Sequence, residues 1–297
     1  MSQVAELLPY GLQVEKLSTG AIWAEGPCWI PARKALRWSD IPNNRILEFS
    51  EETGETSVYQ SNVEFTNGRI LDHDGSVIQC SHGNRRVERD VNGVVTSLID
   101  SYDGVRLNSP NDVIVAKDGT VWFTDPPYGI FVEAEGHPGV REYEDCFVFA
   151  FDPKTQKLRP AVTDMEEPNG LAFSPDEKLL YIADTSLASR ENGNHHIRVY
   201  DVENGRAKNG RHFATIHEGV ADGFRVDVHG NVWSSSTIGV QIFSPDGEHL
   251  GTIPVPEKVG NLCFGGQDGR DLYIVATTSL YRIKTATTDA ALFSMGN

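Results

Sequence analysis

One phrase recurs six times along the chain. Its clearest copy is EPNGLAFSPDEKLLYIAD (167–184), in which an apolar run at 171–173, a Ser-Pro-Asp turn and a second apolar run at 179–182 spell a β-hairpin with the polar Asn169 at its threshold. The other copies are AEGPCWIPARKALRWSD (24–40), FTNGRILDHDGSVIQCS (65–81), SPNDVIVAKDGTVWFTD (109–125), VADGFRVDVHGNVWSSS (220–236) and GNLCFGGQDGRDLYIVA (260–276). One apolar residue marks the second strand each time, Leu36, Val77, Val121, Leu180, Val232 and Leu272, at separations of 41, 44, 59, 52 and 40 residues. A recurrence near 40 residues in a chain rich in Gly, Val, Ile and aromatics is the period of a four-stranded propeller blade, and the helical repeats of similar period require a different composition. The predicted fold class is all-β, a six-bladed β-propeller. Because the repeat fills nearly all of the 297 residues, a single propeller domain over 1–297 is expected.

Five blades carry a fourth strand, at 56–60, 94–99, 158–162, 212–216 and 250–255, whereas the sixth has strands only at 261–264, 272–276 and 280–283, followed by a Thr/Ala/Asp-rich tail (284–297). Residues 12–17, LQVEKL, alternate as a lone strand ahead of the first repeat. The N-terminal segment 1–18 is therefore expected to complete the sixth blade and close the ring, which covers two sheet edges at once. Two connections between second and third strands are long, 125–146 and 184–196. Loops of that length usually carry function, and the up-and-down strand order places both on the face where the first strands begin.

Counting back 10 or 11 positions from each marker lands on Glu25, Asn67, Asn111, Asn169, Asp222 and Asn261, every one a carboxylate or a carboxamide. First strands line the channel of a propeller, so these six predict a ring of oxygens around one axis. Two carboxylates among carboxamides in a narrow channel suit one hard divalent cation, Ca²⁺ most directly, with Mg²⁺, Mn²⁺ or Zn²⁺ as alternatives. Without a cation, Glu25 and Asp222 side by side would cost several kcal/mol in desolvation and repulsion. The competing reading is local: Asn-Gly at 67–68 and 169–170 is also a strong hairpin-turn dipeptide, and Asn67 and Asn261 serve equally well as channel-filling hydrogen-bonding groups.

The net charge of −16 argues against nucleic acid and anionic membrane surfaces as partners and favours holding a cation. The N-terminus lacks a basic region followed by an apolar run, and no 18 apolar residues run together, so a cytoplasmic protein is expected. Cys28, Cys80, Cys146 and Cys263 show no C-x-x-C spacing and read as buried free thiols. There is no G-x-S-x-G, H-E-x-x-H, P-loop or G-x-G-x-x-G, so serine-triad and nucleotide chemistry are unsupported.

The motifs AEGPCW, SPNDV, EPNGLAFSPDEKLLYIADT and ADGFRVDVHGNVW, in that order, resemble the SMP-30/gluconolactonase/luciferin-regenerating-enzyme family over about residues 20–283. Asn-Ser-Pro-Asn-Asp (108–112) and Thr-Asp-Pro-Pro-Tyr-Gly (124–129) are closest to its bacterial gluconolactonase branch. The resemblance implies a six-bladed propeller and a metal-dependent lactonase, with the cation held by Glu25, Asn169 and Asp222, and with Asn111 approaching the metal or the substrate. Some members carry an Arg two residues before that Asn; this chain has Ser109, and Arg106 is the substitute candidate.

Lactone hydrolysis needs a polarised carbonyl, a water nucleophile and relief of charge on the developing oxyanion. Asp222 is the expected general base, with Glu25 as a permanent ligand. His82 and Asp125, just past the second strands of blades two and three, and Tyr128, which opens the long insertion, join Asn111 and Arg106 as candidate substrate contacts. The expected function is hydrolysis of aldonolactones such as gluconolactone to the hydroxy acid. The rivals are a phosphotriesterase-like or aryl-ester hydrolase on the same site and a non-catalytic propeller that binds a partner on its flat face.

Overall fold

The computed structural model describes residues 3–8, 11 and 13–291; Leu12 of the expected ring-closing strand and 292–297 of the tail lie outside the described residues. Six four-stranded antiparallel sheets follow one another along the chain as the blades of a propeller. Blade one is built from Ala24–Ile30, Ala35–Asp40, Arg45–Ser50 and Thr56–Ser61, in that spatial order. The innermost strands of blades two to six are Thr66–Leu71, Val113–Val115, Pro168–Phe173, Phe224–Val226 and Val259–Gly265.

Burial follows distance from the axis. The second strands, packed between blades on both faces, are almost wholly buried, as in Val77–Ser81 and Val232–Ser236, while fourth strands such as Thr56–Ser61 are largely exposed. All six marker residues are buried, in keeping with their recurrence as the apolar signal of the repeat. Aromatic side chains stitch neighbouring blades: Trp29 stacks on Tyr273, Trp122 meets Phe173 edge-on and Trp233 meets Phe264, with centroids 5.5–5.6 Å apart. The four cysteines are buried and free.

The sixth blade is completed from the other end of the chain. Glu15–Thr19 runs antiparallel to Ser279–Lys284, pairing Glu15 with Arg282 and Thr19 with Ser279. This strand begins at Glu15 rather than at 12, a shift toward the residues whose alternation meets the edge of blade six. Ahead of it, a short helix, Gln3–Leu7, lays Val4 against the apolar cluster shared by blades five and six, as does Leu8 just after it. At the opposite terminus Asp289 bridges to Asp227 and the Ala286 N–H donates to Leu7 O at 2.8 Å.

The first insertion has structure of its own, a helical turn at Tyr128–Phe131 and a 3₁₀ turn at Glu133–Glu135; the second holds a 3₁₀ turn at Ser186–Ala188. A small hairpin joining Ser101–Tyr102 to Val105–Arg106, which the repeat does not predict, lies between blades two and three. Among the described residues no helix is long and apolar enough to cross a membrane.

Candidate functional site

Each inner strand begins with its polar residue at the same end of the channel. Glu25, Asn67 and Asn169 are the second residues of their strands and Asn261 the third, while Asn111 and Asp222 stand two residues ahead of theirs. Strand pairing is interrupted at these places, between Glu25 and Cys28, Thr66 and Arg69, Pro168 and Leu171, and Val259 and Asn261. Such irregularities re-aim a side chain out of the pleat. The glycine that follows lets adjacent blades touch. A Cβ at Gly26 would lie 2.2 Å from Asn67 O, at Gly68 2.5 Å from Asn111 O, and at Gly170 2.3 Å from Asp222 O. Gly68 N–H donates to Asn111 O at 2.9 Å and Gly170 N–H to Asp222 O at 3.0 Å. The Asn-Gly pairs are thus strand residues at a close blade contact, not hairpin turns.

Glu25 is buried; its Oε2 accepts from Gly26 N–H at 2.7 Å and from Asn261 Nδ2 at 3.2 Å, while its buried Oε1 has no hydrogen-bond partner among the described residues. Burial holds its carboxyl well above the usual range, and the Asp222 carboxylate adds to that. Asp222 is half-buried, and burial pushes it up to about 7, with Lys258 opposing and Glu135 and Asp112 reinforcing the shift. Asn261 Oδ1 accepts from Leu262 N–H at 2.8 Å and its Nδ2 donates toward Glu25 Oε2 and Asp112 Oδ2, so toward the channel it acts as a donor. Asn67, Asn111 and Asn169 form a chain of carboxamides with contacts of 2.8 and 2.7 Å.

Among the described residues no three His, Cys, Asp or Glu side chains form a group that could by themselves hold a metal ion. The donors are instead two carboxylates and a carboxamide. The unpartnered Glu25 Oε1 and two carboxyls that each resist ionisation fit a group supplying positive charge, and an all-oxygen set fits a hard cation.

Above these residues opens a pocket of about 200 Å³. Its floor is Glu25, Asn67, Asn111, Asn169 and Asp222. Both insertions wall it, the first through Tyr128, Val132 and Glu135 and the second through Thr185, Ala188 and Ser189. Trp23, Val220 and Lys258 complete the lining, with the Lys258 ammonium 5.1 Å from the centroid of the Trp23 ring. Tyr128 lines the pocket, but its hydroxyl is buried, and burial and the neighbouring Glu167 carboxylate keep it protonated.

Three expected substrate contacts stand away from the pocket. His82 is fully buried behind Asn111, its Nε2 3.0 Å from the Asn111 amide. Asp125 turns back to anchor the insertion, accepting from Asn108 N–H at 2.8 Å and from the Tyr143 hydroxyl. Arg106 is exposed and donates to Asn84 O at 3.3 Å. Ser109 pins the insertion too, donating to Pro126 O and accepting from Gly129 N–H. Proximity to a strand end puts His82 and Asp125 near the correct face, but long insertions need buried polar anchors, and His82, Asp125 and Ser109 supply them. Trp23, Glu135 and Lys258 escaped the sequence reading because none lies at a repeat position.

The raised Asp222 carboxyl has a consequence for stability. A carboxyl that holds its proton more tightly folded than unfolded takes up protons on folding between about pH 4 and its folded pKa, so its contribution falls as pH rises through that window. In EDTA, stability is expected to fall from pH 5 to pH 8, with Asp222 responsible for on the order of 2 kcal/mol after allowance for its partial exposure. Denaturation midpoints of the wild type and Asp222→Asn across this range would measure it. Parallel profiles would mean that Asp222 ionises freely in the fold.

Residues 23–278 match the SMP-30/Gluconolactonase/LRE-like region. The chain is 30% identical over 307 residues to a gluconolactonase of Zymomonas mobilis, covering 95% of this chain and 83% of that one. It is 30% identical over 273 residues to a pentonolactonase of Haloferax volcanii, covering 87% and 82%. A solved structure described as a gluconolactonase from Xanthomonas campestris superposes with a TM-score of 0.89 at 37% identity, over 96% of this chain and 93% of that one.

Proposed function

We propose that this chain, which belongs to the SMP-30/gluconolactonase/LRE-like family, is a lactonase that opens sugar lactones with the help of one divalent cation. The enzyme class is a lactone-hydrolysing hydrolase, in line with relatives named for gluconolactone and pentonolactone. The observation that carries the cation is the meeting of Glu25 and Asp222, from blades one and five, at the floor of one pocket with a buried Glu25 oxygen left without a partner.

Glu25, Asn169 and Asp222 would hold the ion. When bound, it supplies Lewis-acid polarisation of the lactone carbonyl and counters charge on the developing oxyanion. Asp222, part-exposed to the pocket, takes the proton of the attacking water as the new C–O bond forms, and returns it to the ring oxygen as the acyl C–O bond breaks, leaving the open hydroxy acid. Tyr128 and Asn111 line the pocket as candidate substrate contacts, while Trp23, Val132 and Val220 give an apolar wall that limits the water around the reacting ester.

The test is a panel of aldono-1,4- and 1,5-lactones followed with a pH indicator. Dialysis against EDTA is expected to abolish hydrolysis, and addition of one of Ca²⁺, Mg²⁺, Mn²⁺ or Zn²⁺ to restore it. Turnover that survives complete cation removal would discard the metal while leaving the lactonase. No turnover with any of the four ions would favour a phosphotriester or aryl ester substrate, or a binding role.

A further inference from the structure

Buried behind the pocket, His82 contacts none of Glu25, Asn169 or Asp222, yet it sits at the head of the carboxamide chain that ends on Asn169. Its Nδ1 lies 3.1 Å from Glu135 O and its Nε2 lies 3.0 Å from Asn111 Oδ1 and 3.3 Å from Asn67 Nδ2. A backbone carbonyl only accepts, so Nδ1 carries a proton. Full burial holds the ring pKa down to about 4, so the imidazole is neutral and Nε2 presents a lone pair.

That lone pair conflicts with the present direction of the chain. Asn67 Nδ2 donates to Asn111 Oδ1 at 2.8 Å, and Asn111 Nδ2 donates to Asn169 Oδ1 at 2.7 Å. Run this way, Nε2 accepts from Asn67 Nδ2 only at 3.3 Å while the shorter 3.0 Å contact sets acceptor against acceptor, and the Asn169 oxygen is spent on Asn111 while its nitrogen faces Asp222. A carboxamide turned by 180° exchanges donor and acceptor with no change of shape. Reversing all three amides makes Asn111 Nδ2 donate to both His82 Nε2 and Asn67 Oδ1, makes Asn169 Nδ2 donate to Asn111 Oδ1, turns the Asn169 oxygen toward Asp222, and leaves an acceptor against Nε2 only at the longer 3.3 Å separation, on Asn67.

We infer that His82 is a positioning residue: by accepting from Asn111 at Nε2 it sets the direction of the carboxamide chain, so that the Asn169 oxygen faces the place where the cation would be held. The inference rests on the proposed function. The first insertion locks the ring in this role. Its Glu135 carbonyl fixes the tautomer, and Gly129 packs so closely that a Cβ there would lie 2.5 Å from His82 Cβ. An outer group that fixes a ligand's orientation in this way commonly changes metal affinity 10- to 100-fold when removed.

The experiment titrates Ca²⁺ calorimetrically into wild type and His82→Leu, with circular dichroism as the check on folding, and records the long-range ¹H–¹⁵N spectrum of the Ca²⁺-loaded wild type. Expected are a Kd for Ca²⁺ at least about tenfold weaker in His82→Leu and a His82 ring protonated at Nδ1 and bare at Nε2. A folded His82→Leu that binds within about threefold of wild type, or a proton on Nε2, overturns the inference. Should the variant fail to fold, the spectrum decides alone. Wild type that binds no Ca²⁺ would withdraw the cation of the proposed function, and this inference with it, whereas normal wild-type binding beside an unimpaired variant removes this inference only.

Discussion

Replacing Asp222 by Asn is expected to lower kcat/KM for lactone hydrolysis by at least about a thousandfold. The substitution is nearly isosteric, and the blade contact it sits in is made by backbone, Asp222 N–H donating to Ser235 Oγ at 2.8 Å and Asp222 O accepting from Gly170 N–H, so the fold should be retained. What changes is the proposed proton acceptor, one of the two carboxylates at the pocket floor beside the candidate cation site. The comparison with Glu25→Gln separates these roles. Glu25 is buried and already receives Gly26 N–H and Asn261 Nδ2, a placement for holding charge and not for exchanging protons with water. Activity of Glu25→Gln should recover in part as divalent cation is raised, because only affinity is lost. Asp222→Asn should stay inactive at saturating cation, because no base remains. Turnover of Asp222→Asn within tenfold of wild type at saturating cation would transfer the base to another group.

Deletion of residues 1–19 should destabilise blade six and the ring with it. The strand Glu15–Thr19 covers the outer edge of Ser279–Lys284, with Arg282 reaching Glu15 at 2.8 Å and Lys16 reaching Glu257 at 3.3 Å, both exposed pairs of small worth. The larger loss is apolar. Val4 and Leu8 pack on the cluster between blades five and six, Val14 joins it, and Leu17 packs on the cluster between blades six and one. At about 1.5–3 kcal/mol for each fully buried aliphatic side chain, and less for the half-buried ones, the loss is roughly 5–8 kcal/mol. For a chain of this size that corresponds to a fall in Tm of at least about 10 °C. Limited proteolysis of the truncated protein should cut first within 257–284. An unchanged Tm and cleavage pattern would show that the sixth blade stands on three strands.

How much of this was legible depends on the kind of residue. The blades could be read because each repeats a local pattern, alternation broken by a turn, and local patterns survive in sequence. The ring residues could be read because their distance from the buried marker, 10 or 11 positions, is set by strand length alone. The closing strand followed from counting, since five blades had four strands and the sixth had three; only its start, at Glu15, needed coordinates. His82 and Asp125 read as pocket residues by the same logic, and Arg106 as a stand-in for the Arg some family members carry, but side chains just past a strand end are free to turn either way. Asp125 turns to Asn108 and Tyr143, and His82 turns behind Asn111, because the insertion must be anchored.

By itself the sequence determined the six-bladed ring and the end of the channel at which Glu25, Asn169 and Asp222 begin their strands, since both follow from a period that every blade keeps. Tertiary structure alone decided that Trp23, Glu135 and Lys258 share one pocket, that the Asn261 amide is spent on Leu262, Glu25 and Asp112, and that His82 heads a hydrogen-bonded chain running through three blades. Those facts are contacts between residues far apart in the chain, fixed by how closely neighbouring blades approach, and no local pattern encodes that distance.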